Sequence, residues 1–355
     1  MLTFILVIIV ISILVLAHEL GHFYAARFLK IRVEEFGFGF PPKLWSRVKN
    51  GIRYSVNWLP FGGYVKIYGE HGEGEDNKDS FASRPAWQRF VVLAAGVFMN
   101  LVLAWVLFSA GSMAGIPEAV DESTEVLPVS IIEVLPNTPA EQAGLKFGDK
   151  IVEMRDIKTS LPISTEQDVR NFTDTHRGEE ITLVIRRGQN LQEIKATPRK
   201  DIAANEGSLG IALARISLRQ VPWYKAPIEG FKMLYNSLFL TILGLAELLK
   251  NLVMERKMVA AVAGPVGIFF LVNDTRMLGL AYLTQFVGIL SVNLAVLNFL
   301  PIPALDGGRV LFLIIEKIRG KKVKVEWENL AHLISFALLI ALMVLVTYRD
   351  IVRIF

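Results

Sequence analysis

The 355-residue chain contains no cysteine. Disulfides, thiolate metal sites and cysteine nucleophiles are excluded together, so any metal must be held by His, Asp or Glu. Charge is also scarce: Asp, Glu, Lys and Arg make up 20% of the residues, against about a quarter in ordinary soluble domains. Histidine is rarer still, with five copies. The balance of 38 basic against 34 acidic residues, net +4, is too mild to suggest a nucleic-acid partner. What is abundant is apolar sequence, 52% of the chain. It is gathered into long runs rather than spread with amphipathic periodicity, and the mean hydropathy is +0.43.

Met1 to Ala17 carries no charge. A helix continuing through His18, Glu19 and His22 to about Phe28 is long enough to cross roughly 30 Å of hydrocarbon. A cleaved signal peptide is disfavoured, because no Lys or Arg precedes Arg27 and no small-residue cleavage site follows the run. Phe90 to Pro117 and Met277 to Leu305 also lack charge, and Asn329 to Tyr348 is interrupted only by His332. The sequence therefore predicts four spans, over residues 1–29, 90–117, 277–316 and 329–349. Met233 to Ala246 and Met258 to Asn273 are uncharged but short, and the second holds Gly264, Pro265 and Gly267. These predict interfacial or re-entrant helices within 222–276, on the outer surface. Lys30, Arg32, Arg47 and Arg53 follow the first span, and Lys317, Arg319, Lys321, Lys322 and Lys324 precede the fourth. Basic loops face the cytoplasm, which places 30–89 and 317–328 inside, and both termini and residues 118–276 outside.

Residues 120–215 change character. Short strand-like runs, Val129–Val134, Ile151–Met154, Ile181–Ile185 and Leu209–Leu213, are separated by Pro, Gly, Asn and Asp, as in a small β-rich domain. Inside it, Asn137 to Asp149 reads as a short helix stopping at Gly144 and a turn at Gly148-Asp149, before a strand from Lys150. The run Ala140-x-x-Ala143-Gly144-Leu145-x-x-Gly148-Asp149 resembles the PDZ domains of bacterial proteases. Such a groove would bind a peptide or ectodomain segment by strand addition. In the cytoplasmic segment, Ile52–Trp58 and Tyr64–Tyr68, joined through Leu59 to Gly63, predict a membrane-associated β-hairpin, followed by a polar linker from Glu70 to Asp79.

His18-Glu-Leu-Gly-His22 is an H-E-x-x-H sequence. On a helix this spacing sets both imidazoles on one face as ligands of a single Zn²⁺, with Glu19 beside the metal rather than on it. Composition alone would produce such a match with a frequency on the order of one per cent. Ionisable residues inside a span also require compensation, since each costs about 2.5–3.5 kcal/mol on insertion scales. A catalytic zinc usually has three protein ligands. Glu34, Glu35, His71, Asp306 and His332 are the candidates for the third. Glu34 and Glu35 lie among basic residues and read as solvated, His71 as exposed in a hydrophilic linker, and His332 as an interhelical hydrogen bonder. Asp306 ends the uncharged stretch whose last part is broken by Pro301 and Pro303. Irregular backbone at that depth must be buried in protein or line a wet cavity. Spans one and three run in the same direction and carry His18 and Asp306 in their later parts, which favours Asp306. A shared coordination sphere requires Asp306 within about 6 Å of both histidines.

H-E-x-x-H in the first span, Asn293 to Gly307 with its Leu-Asp-Gly in the third, and a PDZ-like domain between resemble the bacterial site-2 protease family, in its RseP-like branch. The likeness extends over essentially the whole chain. It implies a polytopic α-helical membrane protein of four spans, with an inserted PDZ domain and membrane-associated β elements at Phe36–Trp45 and Tyr54–Val65. It further implies zinc held by His18, His22 and Asp306, Glu19 as catalytic base, and Asn293 and Asn298 as substrate-positioning residues. Val97 stands where the family's second-span motif, here Gly96 to Asn100, often has proline. The implied reaction is hydrolysis within transmembrane segments of single-span substrates, such as anti-sigma factors or remnant signal peptides, in the bacterial cytoplasmic membrane. The active site would lie near the cytoplasmic side and the PDZ domain outside. A substrate helix must unwind to be cut, and Tyr54, Val56 and Trp58 are expected to hold it by strand addition. The rival reading is a catalytically silent, PDZ-bearing membrane scaffold.

Overall fold

The structure is a computed structural model, and it describes residues 2–70, 72–119, 127–157, 159–200, 207–251, 254 and 264–354. His71, the predicted β-rich domain at 120–126 and 201–206, and the start, 258–263, of the predicted helix over 258–273 lie outside the described residues; the remainder of that helix is α6 (Pro265–Leu278). The chain divides into two compact units: residues 1–110, 227–273 and 284–355 form the first, and 111–226 with 274–283 the second.

The first unit is built on long apolar helices: α1 (Leu2–Phe28), α2 (Ala86–Ala114), α5 (Ala226–Lys250), α7 (Leu280–Asn298) and α9 (Val325–Ile354). By length and composition all five could cross a membrane. Their counterparts in the sequence reading are the four predicted spans plus α5, expected there as a short surface helix. The uncharged run at 233–246 grows into 25 residues because its flanking charges, Glu229, Lys232, Glu247 and Lys250, fall near the helix ends. It is also the least apolar of the five. It packs along its neighbours: Trp105 Nε1 donates to the Pro227 carbonyl, and Thr241 Oγ donates to Asn293 Oδ1. The third predicted span is interrupted. α7 stops at Asn298, residues 299–305 are irregular, and α8 (Asp306–Arg319) begins at the aspartate. Pro301 and Pro303 cannot donate helical hydrogen bonds, which ends α7 there. His332 bonds the Pro303 carbonyl at 3.0 Å, so its partner is the irregular segment rather than another helix.

Between α1 and α2 lies a sheet made of β1 (Val33–Lys49) and β2 (Ile52–Ile67). Asn50 and Gly51, at φ 51° and 78°, form the tight turn between them, the conformation that Asn-Gly favours in hairpins. The register resolves both strands into two halves, in the order 43–49, 52–57, 33–38, 63–67. This corrects the predicted hairpin: Ile52–Trp58 and Tyr64–Tyr68 do not pair with each other, because Val33–Phe38 lies between them. The inserted strand is hard to read because its inward positions are Val33, Glu35, Gly37 and Gly39, so the alternation is not hydrophobic. Glu35, expected to be solvated, is buried. Its carboxylate accepts hydrogen bonds from Ser55 Oγ and Tyr64 Oη, each at 2.7 Å, and pairs with Lys43 at 2.7 Å. Burial opposes its charge, but these donors outweigh it and hold the pKa down to about 2. Glu34 pairs with Lys66 at 2.8 Å. A core of Phe23, Ala26, Ile52, Ile67, Val92 and Val310, with neighbours, joins α1, the sheet, α2 and α8.

The second unit is an antiparallel sheet ordered β3-β9-β4-β5-β7-β8, with β6 paired to β5. Its strands are β3 (Ile116–Ala119), β4 (Val129–Val134), β5 (Lys150–Arg155), β6 (Ser160–Pro162), β7 (Ile181–Arg187), β8 (Asn190–Ala196) and β9 (Ile211–Arg219). Helices α3 (Pro139–Gln142) and α4 (Glu166–Thr175) cover the core formed by Ile131, Ile151, Met154, Val169, Phe172, Leu183 and others. The Gly148-Asp149 turn is held by a fully buried Asp149, which accepts from Arg187 at 2.6 and 2.7 Å and from the Lys146 N–H at 2.8 Å.

Candidate active site

α1 and α2 cross so closely that only glycine fits at the contact. A Cβ on Gly21 would lie 2.2 Å from the Ala95 carbonyl oxygen, and one on Gly96 would lie 2.3 Å from His22 Nε2. Small residues allow this approach of two apolar helices, and it brings the α2 backbone over both imidazoles. His22 Nδ1 lies 2.8 Å from the Val92 carbonyl. Donation to that carbonyl sets the tautomer and leaves the Nε2 lone pair facing the site.

His18, one turn earlier, points to the same place. His18 Nε2 and His22 Nε2 are 3.1 Å apart, and Asp306 Oδ2 lies 2.9 Å from the first and 3.3 Å from the second. The three atoms fall well inside the 6 Å that a shared coordination sphere requires. The break between α7 and α8 turns Asp306 inward at the first position of a helix, where free main-chain N–H groups favour a carboxylate. Asp306 Oδ2 is buried and accepts no hydrogen bond. With neutral imidazoles, three lone pairs would converge without a proton between them, which is unfavourable unless a cation is shared. Ligand atoms held tetrahedrally at about 2.0–2.2 Å are roughly 3.3–3.6 Å apart, close to the observed spacing. The trio fits one zinc-sized ion, and it is the group of metal-ligating residues found among the described residues.

Glu19 stands beside this cluster rather than in it. The Val65 N–H, on the sheet's outer segment, donates to its carboxylate at 3.0 Å. A cavity of about 240 Å³ opens at the cluster, lined by Val15, His18, Glu19, Leu294, Asn298, Ala304, Leu305 and Asp306. At roughly 30 Å³ per molecule it has room for several waters.

Of the predicted substrate-positioning residues, Asn298 joins the site, with its amide 3.5 Å from His18. Asn293 is instead engaged by Thr241 of α5. Tyr54, Val56 and Trp58 do not line the cavity. Tyr54 packs on Phe23, and Trp58 is exposed. Tyr54 and Val56 are paired on both sides, with Phe36 and Arg47 and with Phe38 and Trp45 respectively. This corrects the expectation of strand addition there, because no free main-chain edge remains along 54–56.

Two contributors escaped the residue-by-residue reading. Asn100 of α2 is fully buried, 3.4 Å from His18 Nδ1, and its Oδ1 has no partner. Turning the amide so that Oδ1 accepts the Nδ1 proton would satisfy both groups. The signal was present, since Asn100 is a polar residue one turn beyond Gly96 in an apolar span. The Val65 N–H had no signal, because a main-chain donor leaves no mark on residue identity.

Comparison with known proteins bears on this geometry. A Fusobacterium nucleatum protein bearing a zinc metalloprotease name is 32% identical over 357 residues, with 99% of each chain aligned. A Clostridium perfringens protein with a zinc metalloprotease name is 33% identical over 341 residues, covering 96% of each. The zinc metalloprotease RasP of Oceanobacillus iheyensis is 29% identical over 436 residues, covering the full length of both. The sequence profile of Peptidase family M50 matches residues 6–342. With that match running through the histidine pair, Asp306 and both units, the chain belongs to peptidase family M50, the site-2 proteases.

Proposed function

We propose that this protein is an intramembrane zinc metalloprotease in which His18, His22 and Asp306 hold the metal and Glu19 is the general base. The observation that carries the reading is the convergence of three buried ligand atoms within 3.3 Å of one another, from helices far apart in sequence. The zinc metalloprotease names of the relatives support the choice of ion.

Bound zinc supplies Lewis acidity, polarising a carbonyl oxygen and lowering the pKa of a water. Glu19 takes the proton of the attacking water and returns it to the departing amide nitrogen. The Val65 N–H orients the Glu19 carboxylate, so the base is placed by the sheet as well as by its own helix. Asn298, on the cavity wall, positions the substrate backbone. Asn293 acts one shell further out, tying α7 to α5 through Thr241. The outer segment 63–67, which abuts Glu19, is the sheet edge that would receive an unwound substrate strand.

Substrates are single-span membrane proteins, with anti-sigma factors and remnant signal peptides as the expected kinds. The second unit is read as an extracytoplasmic PDZ domain that binds or screens their ectodomains. The basic segments 30–89 and 317–328 favour the cytoplasm, which sets the active site towards that face of the bacterial inner membrane. The test is cleavage of a model transmembrane substrate by purified protein. Glu19→Gln should lower the rate by about 10²–10⁴-fold while retaining stoichiometric zinc, and a chelator should abolish it. Undiminished cleavage in either arm would refute the assignment.

A further inference from the structure

Past the metal cluster, the end of α1 carries two adjoining hollows that hydrolysis does not use. One, of about 380 Å³, is lined by Arg27, Ile31, Arg32, Val33 and the turn at Asn50–Ile52. The other, of about 560 Å³, is open and bordered by Tyr24, Ala25, Arg27 and Phe28. Arg27 borders both. The first hollow is cationic and the second is largely apolar, with Phe28 85% exposed and Tyr24 57%.

Several guanidiniums of this unit are neutralised by carboxylates. Arg53, Arg89 and Arg309 are ion-paired with Glu35, Glu316 and Glu70. Arg27 and Arg32 rest over the rings of Phe23 and Tyr68, at 5.6 and 5.5 Å, and have no carboxylate partner among the described residues. Cation–π contact leaves their N–H donors available. The main-chain N–H groups of Leu29, Lys30 and Ile31 are already used in closing the helix, so an anion here would be held by the guanidiniums. Arg27 is nine residues beyond His18, about 14 Å along the helix. For a metal site inside the hydrocarbon, that reaches the depth of lipid phosphates.

We propose that these hollows seat one anionic phospholipid, its phosphate between Arg27 and Arg32 and the start of its acyl chain along Tyr24 and Phe28. Guanidinium matches phosphate through paired donors, and aromatic side chains settle at the interface. A free phosphate would use only the cationic hollow. An amphiphile fills both, and Arg27, shared between them, sits where headgroup meets chain. The occupant would brace the junction of α1 with the 49–52 turn of the sheet.

The experiment is native mass spectrometry of the full chain, exchanged into detergent with phosphatidylglycerol or phosphatidylcholine. Wild type should retain one phosphatidylglycerol and release phosphatidylcholine. Arg27→Gln and Arg32→Gln should each weaken retention about five-fold, about 1 kcal/mol per juxtamembrane cation, and the double variant roughly 25-fold. Arg47→Gln, an exposed arginine of the same sheet that lines neither hollow, should change nothing. A circular dichroism spectrum identical to wild type keeps the double variant interpretable. Equal retention of the two lipids, or full retention by the double variant, would overturn the proposal. Complete displacement by millimolar inorganic phosphate would overturn it too, by assigning the site to a soluble anion.

Discussion

On the proposed assignment, Asn100 is a side chain that would govern the metal site without being one of its ligands. It is buried in α2, next to the outer nitrogen of His18. A ligating imidazole needs an acceptor for its second N–H, and removing such partners typically lowers metal affinity 10–100-fold. Asn100→Ala is therefore expected to weaken zinc by that factor, read by competition with a chromophoric chelator, while the helical circular dichroism signal persists. Unchanged affinity would show that Asn298 alone orients His18. His22 is less exposed to this kind of loss, because its outer nitrogen faces the main-chain carbonyl of Val92, which no substitution there removes.

At the scale of elements, two buried carboxylates organise the two β structures. Glu35 joins strand 33–38 to Ser55 and Tyr64 on its flanking strands. Its pKa of about 2 lies below the ordinary 4.5, so its contribution to stability is complete above about pH 4.5 and vanishes as pH falls towards 2. The linkage amounts to at most about 3 kcal/mol. Hydrogen-exchange protection factors at residues 52–67, corrected for the intrinsic pH dependence of amide exchange, should fall on acidification across that window in wild type. Glu35→Gln should exchange faster at neutral pH and respond less to acid. In the second unit Asp149 is fully buried and bonded twice to Arg187. Breaking one side of such a pair costs about 3–5 kcal/mol. Asp149→Ala should render residues 127–219 of the full chain susceptible to limited proteolysis, with α1 and α2 unaffected.

Across the helical unit as a whole, contacts set directions. His22 meets Val92 and His18 meets Asn100, so α1 and α2 are antiparallel. Asn100 and Phe108 meet Ser291 and Gly288, so α2 and α7 are antiparallel as well. α1 and α7 therefore run the same way, which brings the later part of α1 and the end of α7 to the His18, His22 and Asp306 cluster. The absence of cysteine makes orientation directly measurable. Single cysteines introduced at Lys49 and Lys321 are both expected to be labelled by an impermeant maleimide only after cells are opened, and one at Gln189 without opening. Labelling of Lys49 and Lys321 from opposite sides would contradict the proposed topology.

The extent of sequence legibility follows from the range of the interactions involved. Apolar runs, the i, i+4 histidines and the Gly148-Asp149 turn are local patterns, so α1, α2, α9, the shared face of His18 and His22 and strands β4, β5 and β7 could be read directly. Glu35, the strand order of the β1–β2 sheet and the Val65 donor could not, because each depends on a partner brought from elsewhere in the chain. The same division runs through the active site. The residue order by itself determined that His18, Glu19 and His22 share one helical face inside an apolar span. Only the folded molecule decided that Asp306 joins the two histidines, that Asn100 lies beside His18 and that residues 54–56 have no open edge. Helical periodicity acts over four residues, whereas these contacts close loops of tens to hundreds of residues, and the outcome depends on how the helices pack.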